Sequence, residues 1–500
     1  MLGERASPGA GEESGAAQEV VSGFVNSHMG RCHFRLGLAA LAVLCAGCAS
    51  RPTNDRIFTA DATRGYRMEA GLAPRSNNDG KTILLLAFSG GGTRAAALSY
   101  GVLEALRNKY VVVDGQRRRL LDEVDVITGV SGGSFTALAY AFLGERLFSE
   151  YEERFLKRDV QGALIGRAVN PLYWPKLVGG SYGRSELAAD YYDEILFEGA
   201  TFGDLLARGA PVAFVAGTDL STGARLEFSQ SMFDVMCSDL LSVRLSRAAA
   251  SSSAVPLALS PVTLDNYGGT CGFAFEPRAV YEISNPSTRP RPAERALVRL
   301  REHRNLERSN ERPYIHVVDG GVADNLGLRG VIEALEILEA SPAIRRLVGL
   351  DRVERIAIIV VNAHAVPDVD WDRSESPPGF ITQIVQASGV PIDRYSYESV
   401  QLIKDTVDRW HMQSELQIHR TRSDPSMRDG PEDRRLNIAL FAIDVSFQSI
   451  SDPAERSYFM NLPTSLALPP EAIDRLRRVA AELLDSSPEF NAFVRDLGRH

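Results

Sequence analysis

Cysteine is scarce in this chain. Five residues in 500, scattered along the sequence, are too few for a cysteine-built zinc module. Positive charge is in deficit: Lys and Arg number 55 against 64 Asp and Glu, a formal net charge of -9. A chain without a basic excess is poorly suited to a nucleic-acid partner, whose phosphates demand one. Long apolar runs are missing too. Leu36–Ala46 falls far short of the roughly 20 residues that cross a bilayer. No internal repeat is visible, which removes solenoids and propellers. What remains is 44% hydrophobic and 24% charged, an ordinary globular composition with enough apolar residues for a sizeable core. Five hundred residues accommodate one large α/β domain or two to three smaller ones.

The N-terminus reads as a targeting segment. From Met29, Arg31 and Arg35 precede the apolar run and small residues close it, the layout of a secretion signal. Ala46-Gly47-Cys48 resembles the end of a bacterial lipobox, which implies lipidation of Cys48 as the mature N-terminus. Cys45 departs from the usual leucine, and cleavage without a lipid is the alternative. Residues 1–28 are polar and patternless, unlike a segment ahead of a signal, so Met29 is the expected start. Residues 29–47 then form the signal peptide and 48–80 a tether. Ala49 and Ser50 lack the aspartate that often retains such lipoproteins at an inner membrane. The expected location is the bacterial envelope, at the outer membrane or periplasmic face. Export leaves Cys237 and Cys271 as the thiols of the mature body. An oxidising compartment permits a disulfide between them, with two buried free thiols as the alternative.

Lys81–Phe88 (KTILLLAF), Ala210–Gly217 (APVAFVAG) and Arg355–His364 (RIAIIVVNAH) are continuous apolar runs, the mark of parallel strands buried on both faces. Further strands are expected around Val124–Ile127, at Tyr314–Val318 and over Leu436–Phe447. Between them lie helical periodicities: Leu98, Val102, Leu103 and Leu106; Val400, Ile403, Val407 and Trp410; Ile473, Leu476, Val479 and Leu483. The alternation predicts a layered α/β fold, its central sheet largely parallel and flanked by helices. Residues 81–340 are expected to form the catalytic domain, with an insertion at about 280–313. Residues 341–500 would complete the same sheet. Arg295, Arg299, Arg301 and Arg304 in the insertion read as a solvated helix face, with contact to anionic lipid as the alternative.

Three glycine-marked sites follow strands in this chain. Gly90-Gly91-Gly92-Thr93-Arg94-Ala95 lies between a strand and a helix, and Asp114 follows about 20 residues later. That layout fits a dinucleotide fingerprint, so a Rossmann oxidoreductase is one reading. Gly129-Val130-Ser131-Gly132-Gly133 matches G-x-S-x-G, in which the serine sits on a tight turn between strand and helix. Asp319-Gly320-Gly321 ends the Tyr314–Val318 strand. A Rossmann reading leaves the second and third sites idle. A hydrolase uses all three: Ser131 as nucleophile, Asp319 as base, and the amides of Gly90, Gly91 and Gly92 as an oxyanion nest. Gly129 and Gly133 shape the nucleophile elbow.

SGGGTRAAALSYG, GVSGG and DGG, in this order, together with AAASSSAVPLALSPV, resemble the patatin-like phospholipases over about Ile83–Ala334. The resemblance implies a Ser131–Asp319 dyad without histidine that cleaves lipid acyl esters through an acyl-enzyme. It implies an oxyanion loop of Gly90, Gly91 and Gly92 with Arg94 ending it, a phospholipid or related lipid as partner, and no cofactor or metal. Ser89 and Ala95 depart from the pattern, where aspartate and glycine are common, without removing a backbone donor. The rival hydrolase reading is a Ser-Asp-His triad with His364. His316, three residues before Asp319, reads as a packed structural histidine. Asn325 and Arg329 read equally as supports of the site and as capping or surface residues. A non-enzymatic envelope lipoprotein on a decayed hydrolase scaffold is the remaining class.

Overall fold

The computed structural model describes residues 50–498 apart from 74, 179–180, 210, 276, 286–293, 341–352 and 424–437. Cys48, the signal at 29–47 and the extension 1–28 lie outside the described residues. Residues 51–168 and 183–500 form one compact unit; Val169–Tyr182, with the short helix Trp174–Val178, belongs to another.

The larger unit is organised by one eight-stranded sheet. Its strands are β1 (Thr82–Phe88), β2 (Val124–Val130), β3 (Val212–Asp219), β4 (Arg225–Glu227), β5 (Val262–Asp265), β6 (Tyr314–Val318), β7 (Arg355–Asn362) and β8 (Ala439–Ser446). The order across the sheet is β8-β7-β1-β2-β3-β6-β5, with β4 beside β3. From β8 to β3 every pairing is parallel, whereas β4, β5 and β6 pair antiparallel. The apolar runs therefore mark the strands that are covered on both faces: β3 and β7 are buried at every position. Each fully buried Leu, Ile or Val there contributes roughly 1.5–3 kcal/mol of burial.

Helices α1 (Gly92–Asn108) and α2 (Gly132–Leu143) each start directly behind a strand, which sets their N-termini at the strands' carboxyl ends. Helix α3 (Leu245–Ser252) is wholly buried. Helices α4 (Glu294–Leu306), α5 (Arg329–Ala340), α6 (Phe380–Ser423) and α7 (Pro470–Ser486) follow. The periodic faces read from the sequence are the ones that pack. Ile473, Leu476, Val479 and Leu483 of α7 are buried, and α7 lies so close to α1 that a Cβ on Gly101 would sit 2.7 Å from the Ala480 Cβ. Val400, Ile403, Val407 and Trp410 of α6 are buried, and the Trp410 indole donates to Ile438 O at 3.1 Å. Strands β7 and β8 of the C-terminal part thus lie in the same sheet as β1, β2 and β3.

Two expectations are corrected here. The stretch 48–80 is not a free tether from Arg51 onward. Arg51 makes a two-pronged ion pair with Asp265 (2.5 and 2.9 Å), Asn54 donates to Ser238 Oγ at 2.7 Å, and Asp55–Arg56 pairs with Ser238–Asp239. Tyr66 is fully buried, its hydroxyl accepting from Ala213 N at 2.6 Å. The polar composition of the stretch hid these long-range partners. In the insertion, Arg299 does not belong to a solvated face: it is mostly buried and donates to Arg225 O at 2.6 Å. Arg295 pairs with Glu336 at 2.8 Å.

Cys237 and Cys271 are joined in a disulfide across 34 residues of sequence. A loop of that length implies about 3–4 kcal/mol of stabilisation by restriction of the unfolded chain. Among the described residues no helix is long and apolar enough to cross a membrane, and no cluster of His, Cys, Asp and Glu could hold a metal ion.

Candidate active site

Strand β2 ends at Val130 and α2 begins at Gly132, so one residue must turn the chain. Ser131 does so at φ 48° and ψ -118°, a conformation that side-chain-bearing residues rarely adopt and that costs roughly 1–3 kcal/mol. The flanking glycines let the helix close on the sheet. A Cβ on Gly129 would lie 2.9 Å from the Ala137 Cβ, and one on Gly133 would lie 2.6 Å from the Phe88 and Ser89 carbonyl oxygens. Gly133 N donates to Ser89 O at 3.1 Å, and Ser131 N donates to the Ser252 hydroxyl at 2.9 Å. That hydroxyl in turn donates to Ala216 O at 2.7 Å, tying the elbow to β3.

Strand register then delivers the carboxylate. Val130 pairs with Ala216 from the parallel side, and Val318 pairs with Thr218 from the antiparallel side. The next residue of each strand, Ser131 and Asp319, therefore reaches the level of Gly217 from opposite directions. Ser131 Oγ donates to Asp319 Oδ2 at 2.9 Å, and Gly321 N donates to Asp319 Oδ1 at 2.7 Å. The Asp319 backbone is held as well: its N–H donates to Ala254 O at 3.0 Å and its carbonyl accepts from Thr218 Oγ1 at 2.8 Å. Burial lifts the Asp319 carboxyl to about 6, with the Gly321 and Ser131 hydrogen bonds pulling the other way. The sheet is largely parallel, as expected, but β6 pairs antiparallel with both neighbours and brings Asp319 to the site from the opposite direction.

The glycine loop lies beside the hydroxyl, since a Cβ on Gly90 would sit 3.4 Å from the Ser131 Cβ. Gly90 itself is not available as an oxyanion donor, because its N–H donates to Asn325 O at 2.8 Å. The amides of Gly91, Gly92 and Gly132 have no protein acceptor among the described residues. Gly91 and Gly92 take φ of 135° and 61°, the region in which glycine is at ease. Arg94 is buried and directed elsewhere. Its guanidinium donates to Ala363 O at 2.9 Å, to Thr464 Oγ1 at 3.1 Å and to Leu462 O. Desolvation lowers its pKa to about 10. It clamps α1 to the C-terminal segments.

His364 makes no hydrogen bond to Ser131 or Asp319 among the described residues; its Nε2 lies 3.1 Å from Asp393 Oδ1. The serine contacts the aspartate directly, so a Ser-Asp-His relay lacks its middle member. The dinucleotide reading fails on topology. Asp114 sits at φ 51° between Tyr110–Val113 and Gln116–Arg119, an antiparallel hairpin apart from the central sheet. His316 is exposed rather than packed, with Nδ1 3.0 Å from Thr263 Oγ1.

Sequence reading missed Ser252, Thr218 and Ser89 as supports. Ser89 Oγ accepts from Ala363 N at 2.9 Å, fixing the loop to the end of β7. The serine run at the end of α3 was the one visible signal. Asn325 takes the supporting role left open for it: besides receiving Gly90 N–H, its side chain donates to Ser396 of α6 at 3.1 Å.

The Patatin-like phospholipase family model matches residues 86–332. No curated protein matches the chain. Among solved structures, human GIVD cytosolic phospholipase A2 aligns at 12% identity with a TM-score of 0.41, covering 86% of this chain and 64% of that one. The same human enzyme with methyl γ-linolenyl fluorophosphonate aligns at 14% and 0.41, covering 88% and 64%. VipD from Legionella pneumophila aligns at 10% and 0.24, covering 86% and 71%. The chain thus spans less than two thirds of the human enzyme's length.

Proposed function

Residues 86–332 form a patatin-like phospholipase domain, and on that premise we propose that the protein hydrolyses acyl esters of lipids through an acyl-enzyme on Ser131. The observation that carries the reading is the 2.9 Å hydrogen bond from Ser131 Oγ to Asp319 Oδ2. As Oγ attacks the ester carbonyl carbon, its proton passes to Asp319. A carboxyl near 6 is ionised at neutral pH yet more basic than a solvated aspartate, near 3.9, which improves it as an acceptor. The carbonyl oxygen becomes an oxyanion, for which the amides of Gly91 and Gly92 are the candidate donors. Collapse expels the alcohol, which takes the proton from Asp319. Water then repeats the sequence on the acyl-enzyme, with Asp319 again as base, and releases the fatty acid.

The surroundings favour an apolar acyl chain. Val322, whose N–H donates to Asp319 O, is 41% exposed; Val255 and Leu257, just beyond the Ala254 carbonyl that accepts from Asp319, are 46% and 55% exposed. A fluorophosphonate probe is expected to label the wild type and to leave Ser131→Ala unlabelled. A wild type that is folded by circular dichroism but never labelled would overturn the reading in favour of a non-enzymatic scaffold.

We further propose that the protein is held in the bacterial envelope by a lipid on Cys48. The support is the basic and apolar leader from Met29 and the Ala46-Gly47-Cys48 ending. Arg51 is already bound to Asp265, so only Ala49 and Ser50 would separate the lipid from the packed body. The catalytic unit would then ride directly on the membrane surface. Metabolic labelling with radioactive palmitate is expected to mark the wild type and not Cys48→Ser, which should move to the soluble fraction. Equal labelling of both would discard the anchor.

A further inference from the structure

Helices α4, α5 and α6 enclose a cleft of about 270 Å³ whose lining includes Arg329, Ile332, Tyr395, Glu398, Ser399 and Leu402. Most charge around it is already neutralised. Arg295 pairs with Glu336, and Glu333 pairs with Arg225 at 2.8 Å. Two side chains of opposite charge form no ion pair among the described residues, although Arg329 lies in the field of buried Asp324. Arg329 has no carboxylate at ion-pair distance among the described residues and lies with its guanidinium 5.1 Å from the Tyr395 ring centroid. Glu398 is exposed and likewise without an ionic partner among them. The cleft is joined to the catalytic centre through α6. Ser396, between Tyr395 and Glu398, accepts from Asn325, the residue whose carbonyl holds the Gly90 amide. On the other wall, Arg329 N donates to Asp324, in the turn that follows Asp319.

We propose that this cleft is the head-group subsite of the esterase and that it selects zwitterionic phospholipids. The inference rests on the function proposed above. A guanidinium kept planar on an aromatic ring offers paired N–H donors to a phosphate. Glu398, with the Tyr395 ring lining the same cleft, supplies the anion and the π-face that a head-group ammonium prefers. These two charges sum to zero. A head group bearing one phosphate and one ammonium satisfies both, an anionic head group leaves Glu398 unmatched, and a neutral glyceride leaves both unmatched. In a glycerophospholipid the phosphate is a few bonds from the scissile ester, which agrees with a subsite that shares Asn325 and the Asp319 turn with the dyad.

The test compares kcat/KM on phosphatidylethanolamine, phosphatidylglycerol and diacylglycerol in mixed micelles, each divided by kcat/KM on p-nitrophenyl butyrate. The wild type is expected to rank them in that order. Arg329→Gln should lower the normalised value about tenfold for both phospholipids. Glu398→Gln should lower it for phosphatidylethanolamine alone, and it carries the test by itself should Arg329→Gln fail to fold. Calorimetry on Ser131→Ala is expected to register glycerophosphoethanolamine and not inorganic phosphate. Unchanged normalised values in both variants would overturn the subsite, as would inorganic phosphate binding as tightly as the head group. A wild type that cleaves none of these esters, p-nitrophenyl butyrate included, would instead sink the esterase reading itself.

Discussion

Asp319→Asn is expected to lower kcat/KM on a short-chain ester by at least about a thousandfold, the upper range for loss of a general base, while His364→Ala stays within a few-fold of wild type. The asymmetry follows from contact. Ser131 Oγ donates to Asp319 at 2.9 Å, whereas His364 hydrogen-bonds to neither dyad member among the described residues and has its Nε2 3.1 Å from Asp393. The pH dependence carries the same signature. With the Asp319 carboxyl raised to about 6, kcat/KM should be flat at neutral pH and fall about tenfold per unit below about pH 6. Stability should run the other way. A carboxyl whose folded pKa is raised binds its proton more tightly in the folded state. The stability this confers is full below about pH 4 and is lost as pH rises through about 6, to the extent of about 3 kcal/mol. Asp319→Asn removes the charge, so the variant should melt higher than wild type at pH 8 and converge with it below about pH 4. A variant that is inactive but more stable cannot be explained by misfolding. If Asp319→Asn keeps its activity and His364→Ala loses it, the dyad is wrong.

How much of this was legible in the sequence depended on whether the signal was local. Strands β1, β3 and β7 announced themselves because burial on both faces leaves little room for polar alternation. Ser131 was legible because glycines around a serine directly after such a strand mark a turn too tight for neighbouring side chains. Directions and partners were not legible. Nothing in Tyr314–Val318 says that this strand pairs antiparallel with its neighbours, since pairing sense is a property of the whole sheet. Gly90 looks like its two successors, yet its amide is taken by Asn325, 235 positions away by number. Arg94 reads as an electrostatic element of the loop, but the Leu462 and Ala363 carbonyls that capture it come from segments more than 260 residues downstream. The region 51–80 looked like a linker because its contacts are polar and long-range, and composition records only the first property.

The glycine loop gives the second large effect, and it is steric. Gly92 sits at φ 61°, and a Cβ there would run into the Ser465 carbonyl. That carbonyl cannot retreat freely, because it accepts from Thr93 N at 2.8 Å. The opposite side is closed too: Gly132, next to the nucleophile, approaches the Gly92 carbonyl so nearly that its own Cβ would collide with it. Gly92→Ala must therefore move the loop, tilt its amides, or break the Thr93 bond. Loss of one aligned oxyanion donor costs roughly 2.7–4 kcal/mol of transition-state stabilisation, so kcat should drop at least about a hundredfold. Strain at the left-handed backbone should lower stability by roughly 1–3 kcal/mol. The comparison is Gly166→Ala, at a helical position with nothing within 4 Å of the new methyl. That change should leave kcat alone and hold or raise the melting temperature, since alanine outranks glycine in a helix by up to about 1 kcal/mol. Steady-state kinetics and thermal melts of the two variants separate a loop that must be bare from a glycine that is incidental. If Gly92→Ala matches Gly166→Ala in both measurements, the amides of this loop do not hold the oxyanion.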